Sequence, residues 1–318
     1  MQMRAVGKLD VSSLGLGCMG MSLGYGQFDD QQSIRVIRHA IDKGITLLDT
    51  SDLYGDGHNE TLIKTALVGG LRDKISLATK CGFVSLGKVD GSPAHIKKAC
   101  DASLRRLGVD VIDLYYLHRA DKLIPIEESV GAFSDLVAAG KIRYIGLSEI
   151  TVPTLKRANA VHPITALQSE YSLWERKPEQ NGVLKACQEL GIGFVPYSPL
   201  GRGFLSGDYR NVDRLEDNDF RRLLPKFNGE YLKHNLKVID QLVTFAKDKN
   251  CTPAQLALAW LLAQHETIVP IPGTRSIDRL NENVGALEVT LSVQEFNEIN
   301  GWIHTIGEQY PAPHDLEV

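Results

Sequence analysis

The chain has 318 residues, 43% apolar and 23% charged, with a formal net charge of −4. This is the composition of a soluble globular protein, and a slightly acidic chain has no electrostatic case for binding nucleic acid. Its longest apolar runs, such as residues 255–263, are far short of a bilayer span, and the opening MQMRAVGKLD lacks the apolar core of a signal peptide.

The first two apolar runs, MRAV (3–6) and LDVS (9–12), flank a Gly-Lys turn and predict a hairpin. A strand-like run SLGLGC (13–18) follows, then a helix pattern over 31–43 with Ile34, Ile37, Ala40 and Ile41 on one face. Next come strands ITLLDT (45–50) and ISLATK (75–80), a helix over 94–107, strand VIDLYYLH (111–118) and a helix over 129–139. Strands IRYIGLS (142–148) and ITALQSEY (164–171), a helix over 178–190 and strand IGFVPYS (192–198) continue the alternation. Residues 200–229 break it: the stretch is long, rich in Arg, Asp and Asn, and weakly periodic, as functional or mobile loops are. An additional helix is expected over 233–247, another over 253–264, and a last strand at TIVPIPG (267–273). Pro93, Pro153, Pro178 and Pro253 sit near first helical turns, where a missing N–H costs little. Eight strand-like runs alternating with helices predict an α/β fold, a closed parallel (β/α)8 TIM barrel formed as one domain over residues 1–318.

Five scattered cysteines (Cys18, Cys81, Cys100, Cys187, Cys251) include no C-x-x-C pair, which points to a reducing compartment, the cytoplasm, rather than a disulfide framework. The nine histidines show no H-x-x-x-H spacing, and no metal is expected. Gly15-x-Gly17-x-x-Gly20 has the spacing of a dinucleotide-binding turn, but no helix follows it directly and no separate strand ending in an acid comes about twenty residues on. The glycines read better as the end of barrel strand one, with Gly17, Cys18 and Met19 at the mouth.

Barrel chemistry sits at the C-terminal ends of strands. Strand two ends near Asp49, with Tyr54 just beyond; strand three ends at Lys80 and strand four at His118. Any one of these reads equally well as a cap, a structural ion pair or a rim residue. Four titratable groups on consecutive strands, converging on one rim, point to a shared task. A lysine ammonium favours a nearby phenolate, an aspartate holds the lysine charged, and a histidine can hold a carbonyl oxygen or relay a proton. That set suits proton donation to a developing alkoxide, with a hydride supplied by a cofactor.

DTSDLYG, ATKCG and YYLHR, in order and with barrel spacing, resemble the aldo-keto reductase family over nearly the whole chain. The resemblance implies an NADPH-dependent enzyme that reduces a small carbonyl compound, with Asp49, Tyr54, Lys80 and His118 as catalytic tetrad and Tyr54 as general acid. It also implies that Ser148 and Gln168 hold the nicotinamide carboxamide, that Tyr197 stacks on the nicotinamide ring beside Gly17, Cys18 and Met19, and that Ser198, Leu200, Gly201 and Gly203 meet the pyrophosphate. IPGTRSIDRLNEN (271–283) matches the adenosine end of the site. Gly273, Thr274, Arg275 and Arg279 fall at the 2′-phosphate, and Glu282 and Asn283 at the adenine; two guanidiniums beside a helix N-terminus suit a dianionic phosphate. Glu149 departs from the family's usual Asn, and an ionised Glu only accepts hydrogen bonds, so it is expected at most to take the carboxamide N–H. Tyr25, Phe83 and Trp174, with parts of 200–229, are the substrate-side candidates and suit an aldehyde, ketone or quinone. Two other readings stand beside this one: a cofactor-binding regulatory subunit like the potassium-channel β subunits, and a Schiff-base lyase with Lys80 as nucleophile, which requires a neutral lysine.

Overall fold

In the computed structural model, which describes all residues except 86, 214, 309 and 311–318, the chain opens with the antiparallel hairpin β1 (Met3–Val6) and β2 (Leu9–Ser12). The barrel strands are β3 (Leu16–Gly17), β4 (Leu47–Asp49) and β5 (Ser76–Cys81). A small hairpin that the sequence reading missed, β6 (Phe83–Ser85) and β7 (Lys88–Val89), follows. Then come β8 (Ile112–Leu117), β9 (Ile142–Ser148), β10 (Ala166–Glu170) and β11 (Gly193–Tyr197). The helices are α1 (Asp30–Asp42), α2 (His58–Ala66), α3 (Pro93–Leu107), α4 (Ile126–Ala138), α5 (Val152–Val161), α6 (Lys177–Gln180), α7 (Val183–Leu190), α8 (Gly229–Asp248), α9 (Pro253–Gln264), α10 (Ile277–Val284) and α11 (Val293–Asn300).

The seven parallel strands run in the order β11-β10-β9-β8-β5-β4-β3, and residues 267–273 close the gap between the two edges, completing a (β/α)8 barrel. Val269 and Ile271 donate backbone N–H groups to Phe194 and Pro196, while the carbonyls of Pro270 and Pro272 accept from Gly15 and Gly17. The sequence reading made 267–273 a full strand. Pro270 and Pro272 have no N–H to give toward β3, so that seam carries only half its ladder and forms the bridge Gly17–Gly273 instead. The single helix expected over 178–190 is two, α6 and α7, parted at Gly182, whose φ of +83° turns the chain. Within 200–229 the described residues form three short 3-10 turns rather than a structureless loop. Among the described residues, no helix is long and apolar enough to cross a membrane.

Side chains of a strand alternate between faces. Leu48, Leu77, Tyr115, Leu167 and Phe194 point outward and pack under the helices. Leu47, Ala78, Tyr116, Ala166 and Val195 point inward and, with Val6, Leu9 and Val11 of the hairpin, plug the barrel floor. A Cβ at Gly146 would lie 2.3 Å from the Tyr116 ring, so only glycine leaves room for that tyrosine in the interior. Two residues further along each strand, the same inward register reaches Asp49, Lys80, His118, Ser148, Gln168 and Tyr197. The site is the next layer of the barrel above its hydrophobic plug.

Candidate active site

Lys80, fully buried on β5, is the centre of the layer. Its Nζ lies 2.5 Å from Asp49 Oδ1, 2.8 Å from the Thr50 carbonyl and 3.2 Å from the Tyr54 hydroxyl. The second Asp49 oxygen accepts from Gln168 Nε2 at 2.8 Å. Burial works against the Lys80 charge, but Asp49 and then Tyr54 outweigh it, and the ammonium's pKa is raised. For Tyr54 burial is the larger effect and lifts the phenol above its ordinary value, with Lys80 pulling the other way. The sequence reading considered only the lysine; desolvation reverses the net sign, so the hydroxyl keeps its proton at neutral pH. The His118 ring stands edge-on to Tyr54 at 6.0 Å and to Phe83 at 5.4 Å. Burial, then the cations Arg119 and Lys80, hold its pKa well below the usual histidine value, so the imidazole is neutral.

Tyr54 and His118 open onto a cavity of about 760 Å³ that runs past Ser148, Gln168 and Tyr197 to the N-terminus of α10. That volume is within the range of small-molecule and cofactor sites. Gly17 and Met19 line it beside the tetrad, and Tyr25 and Phe83 line its outer part. Ser198, Leu200 and Gly203 line one side, and Gly273, Thr274, Arg275, Arg279, Glu282 and Asn283 the far end. Arg275 donates to the carbonyls of Tyr25 (2.8 Å) and Gln27, and Arg279 reaches Asp208 Oδ2 at 3.1 Å. At this far end Arg275 thus ties the start of α10 to residues 25–27, and Arg279 ties it to Asp208.

Four expectations fall away from the cavity. Trp174 is 1% exposed and stacks on Phe227 at 5.3 Å, so it is core, not a pocket wall. Gly201 faces that same core: a Cβ there would lie 2.9 Å from Trp174 Cβ. Cys18 is fully buried with its thiol turned toward the Leu16 carbonyl. Glu149 is held at φ +51°, and its Oε1 accepts from the Glu170 N–H at 2.9 Å. Its carboxylate is held by β10 and also by the Tyr197 side chain, and it lines no part of the large cavity.

Sequence reasoning missed several cavity residues. Arg119 lines it and donates to the His118 carbonyl at 2.6 Å and Ser148 Oγ at 3.0 Å. It stood directly after His118 in YYLHR, but strand alternation assigns a neighbour to the other face, and only the bend after β8 brings both inside. Arg202 and Arg221 also reach it, anchored by Glu170 (2.5 Å) and Asp219 (2.6 Å). The Arg202–Glu170 pair ties this segment to β10, and Arg221, held by Asp219, donates to the Arg202 carbonyl at 2.8 Å, a placement that weak periodicity could not signal.

The chain and its fold are similar to known proteins. Residues 13–303 fit the model of the Aldo/keto reductase family. A probable aldo-keto reductase 1 from Glycine max is 48% identical over 295 residues, covering 91% of this chain and 85% of that protein. An aldo-keto reductase from Bacillus halodurans, solved in its holo form, is 36% identical with a TM-score of 0.76, covering 94% of this chain and 95% of that one. An aldo/keto reductase from Klebsiella pneumoniae, solved with NADP and acetate, is 29% identical with a TM-score of 0.73 and 93% coverage of both chains. With its fold, its buried Asp-Lys-Tyr chain and its rim histidine all accounted for, the chain belongs to the aldo/keto reductase family of oxidoreductases.

Proposed function

We propose that this protein is an NADPH-dependent reductase of aldehydes, ketones or quinones, working as one domain in the cytoplasm, with Tyr54 as general acid. The observation that carries the reading is the hydrogen-bonded chain Asp49–Lys80–Tyr54, with the His118 ring edge-on to Tyr54, opening onto the cavity. The bound nicotinamide supplies a hydride to the carbonyl carbon. Tyr54 gives its hydroxyl proton to the carbonyl oxygen, the C=O π pair becoming the new O–H bond, and Lys80 stabilises the phenolate left behind. Asp49 keeps Lys80 charged through both stages. That raised lysine pKa also argues against a Schiff-base role, which needs the neutral amine. The five cysteines are free thiols, four of them buried, in keeping with a reducing compartment.

The far end of the cavity fits an anionic nucleotide. Arg275 and Arg279 converge there beside the α10 N-terminus, whose dipole favours negative charge. We assign Arg275, Arg279, Thr274 and Gly273 to the 2′-phosphate, Glu282 and Asn283 to the adenine, Ser148 and Gln168 to the carboxamide, and Tyr197 to the nicotinamide face. Ser198, Leu200 and Gly203 remain for the pyrophosphate. In fluorescence titrations, replacing Arg275 and Arg279 together by Ala is expected to weaken NADPH about tenfold or more while changing NADH little. Equal weakening of both would remove the 2′-phosphate assignment. The activity itself is tested by following NADPH absorbance against a panel of aldehydes, ketones and quinones. Tight NADPH binding with no turnover on any of them would favour the regulatory-subunit reading instead.

A further inference from the structure

Behind His118 lies a pair of side chains that the catalytic chain does not use. Ser51 Oγ sits 3.1 Å from His118 Nδ1 and 3.2 Å from Asp52 Oδ1, and it accepts the Leu53 N–H at 3.2 Å. Ser51 is fully buried. Its hydroxyl has one proton and two acceptor positions. With Leu53 taking one acceptor position, the hydroxyl can donate to one of its two side-chain neighbours and accept from the other. Which way it points is therefore decided by whether Asp52 carries a proton.

We propose that Ser51 and Asp52 are positioning residues that select the His118 tautomer: protonated Asp52 leaves an Nε2–H donor facing the cavity, and ionised Asp52 leaves a bare Nε2 acceptor. When Asp52 is protonated, its O–H donates to Ser51, Ser51 donates to His118 Nδ1, and the ring proton is on Nε2. When Asp52 is ionised, Ser51 donates to it and accepts from His118 Nδ1–H. In passing from the first state to the second, the Asp52 proton moves to Ser51, the Ser51 proton moves to Nδ1, and one proton leaves Nε2 for the cavity. Both arrangements satisfy every group in the chain. His118 Nδ1 is held by Ser51, and Nε2 has no partner among the described residues, so the cavity occupant meets Nε2.

The surroundings of Asp52 suit such a switch. Glu60 of α2 is fully buried, its carboxylate held by Thr79 Oγ1 (2.7 Å) on β5 and by Arg106 Nε (2.6 Å) on α3. Burial first, then the charge of Glu60, pushes the Asp52 carboxyl up to about 7, with Ser51 and Arg106 opposing. Cys81 of β5 and Tyr115 of β8 are the other titratable groups facing it, and burial keeps both protonated, so neither changes charge near neutrality. On the histidine side, Lys80 of β5 and Arg119 are cations throughout this range and keep the ring neutral, while Tyr54 keeps its proton. Asp52 is thus the group of this cluster poised to titrate near pH 7.

The direction of the effect follows from the donor each reaction needs. A carbonyl oxygen accepts a hydrogen bond, so reduction uses the Nε2–H form, present below about pH 7. An alcohol hydroxyl must donate, so oxidation uses the bare Nε2, present above it. This consequence rests on the carbonyl-reductase reading; the tautomer switch itself does not. It is tested first on the protein alone, by long-range 1H–15N correlation spectra of ring nitrogens between about pH 5.5 and about pH 8.5. The His118 signal is identified by its loss in His118→Asn. The expected result is a change from the Nε2–H to the Nδ1–H pattern with a midpoint near 7 in the wild type. Asp52→Asn, which cannot ionise, and Ser51→Ala, which cuts the link, are both expected to hold one tautomer across the range. A single tautomer at every pH in the wild type, or a doubly protonated ring, overturns the proposal, and so does a tautomer change that survives in Asp52→Asn or in Ser51→Ala. In turnover, wild-type kcat/KM for reduction is expected to fall up to about tenfold per pH unit above pH 7, and Asp52→Asn to lack that inflection. If the spectra switch but no carbonyl is reduced at any pH, the catalytic reading fails while the tautomer switch stands.

Discussion

Tyr54→Phe is expected to lower carbonyl reduction about a hundredfold or more, with NADPH binding and thermal stability close to those of the parent. The substitution removes one oxygen. The ring keeps its edge contact with His118, and Lys80 keeps Asp49 and the Thr50 carbonyl as acceptors, so no buried charge is stranded. Only the hydroxyl proposed as proton donor is lost. Steady-state rates with a reactive aldehyde, measured beside a cofactor titration, check this. A variant that reduces carbonyls as fast as wild type would show that Tyr54 is not the general acid. A loss of NADPH binding equal to the loss of rate would show that the hydroxyl serves the cofactor rather than the reaction.

Lys80→Met has the larger structural consequence. It leaves Asp49 buried with the Gln168 amide as its remaining side-chain partner and no cation beside it. Breaking a buried pair from one side costs about 3–5 kcal/mol, most of it the uncompensated charge. The double variant Lys80→Met with Asp49→Asn is expected to recover much of that stability, because a neutral amide needs no counter-ion, while activity stays lost. Denaturant melts of the two single variants and the double variant give the coupling directly. Additive losses would mean that the Asp49–Lys80 pair is not the electrostatic unit the geometry describes.

The two cases separate what alternation along a strand can tell from what it cannot. Asp49, Lys80 and His118 were legible because each sits at the end of an apolar run, and a closed parallel barrel brings all such ends to one rim, whereas Ser148, Gln168 and Tyr197 were expected there only through the family resemblance. Helices were legible for similar local reasons: α9 begins with a capping box at Thr252 and Gln255 and a proline in its first turn, and runs over the residues expected. The last barrel segment was legible as an apolar run but not as a bridge, since the missing Pro270 and Pro272 N–H groups matter only once β3 lies alongside.

Residues outside regular strands were read less well. Trp174 looked like a pocket aromatic because a loop tryptophan has two equal readings, and only the rings of Phe204 and Phe227 against it decide for core. Glu149 was judged by the hydrogen bonds its side chain can make, whereas its left-handed backbone turns the carboxylate toward the Glu170 N–H. Arg119, Arg202 and Arg221 were missed because what places them is distant in the chain: Ser148, 29 positions on, for Arg119; Glu170, 32 positions back, for Arg202; and the Arg202 carbonyl, 19 positions back, for Arg221. The sign of the Tyr54 shift was missed for a related reason: a neighbouring lysine is visible in a motif, but depth of burial is not.

The chain order of apolar runs, turns and caps was enough to specify a (β/α)8 barrel and to bring Asp49, Lys80 and His118 to one rim, because period-two alternation and cap chemistry act between near neighbours. The tertiary structure alone decided which loop residues close over that layer, which guanidinium meets which carboxylate, and how far each titratable group is removed from water. Those outcomes depend on distances between segments far apart in the chain, and desolvation and Coulomb energies are set by such distances rather than by residue type.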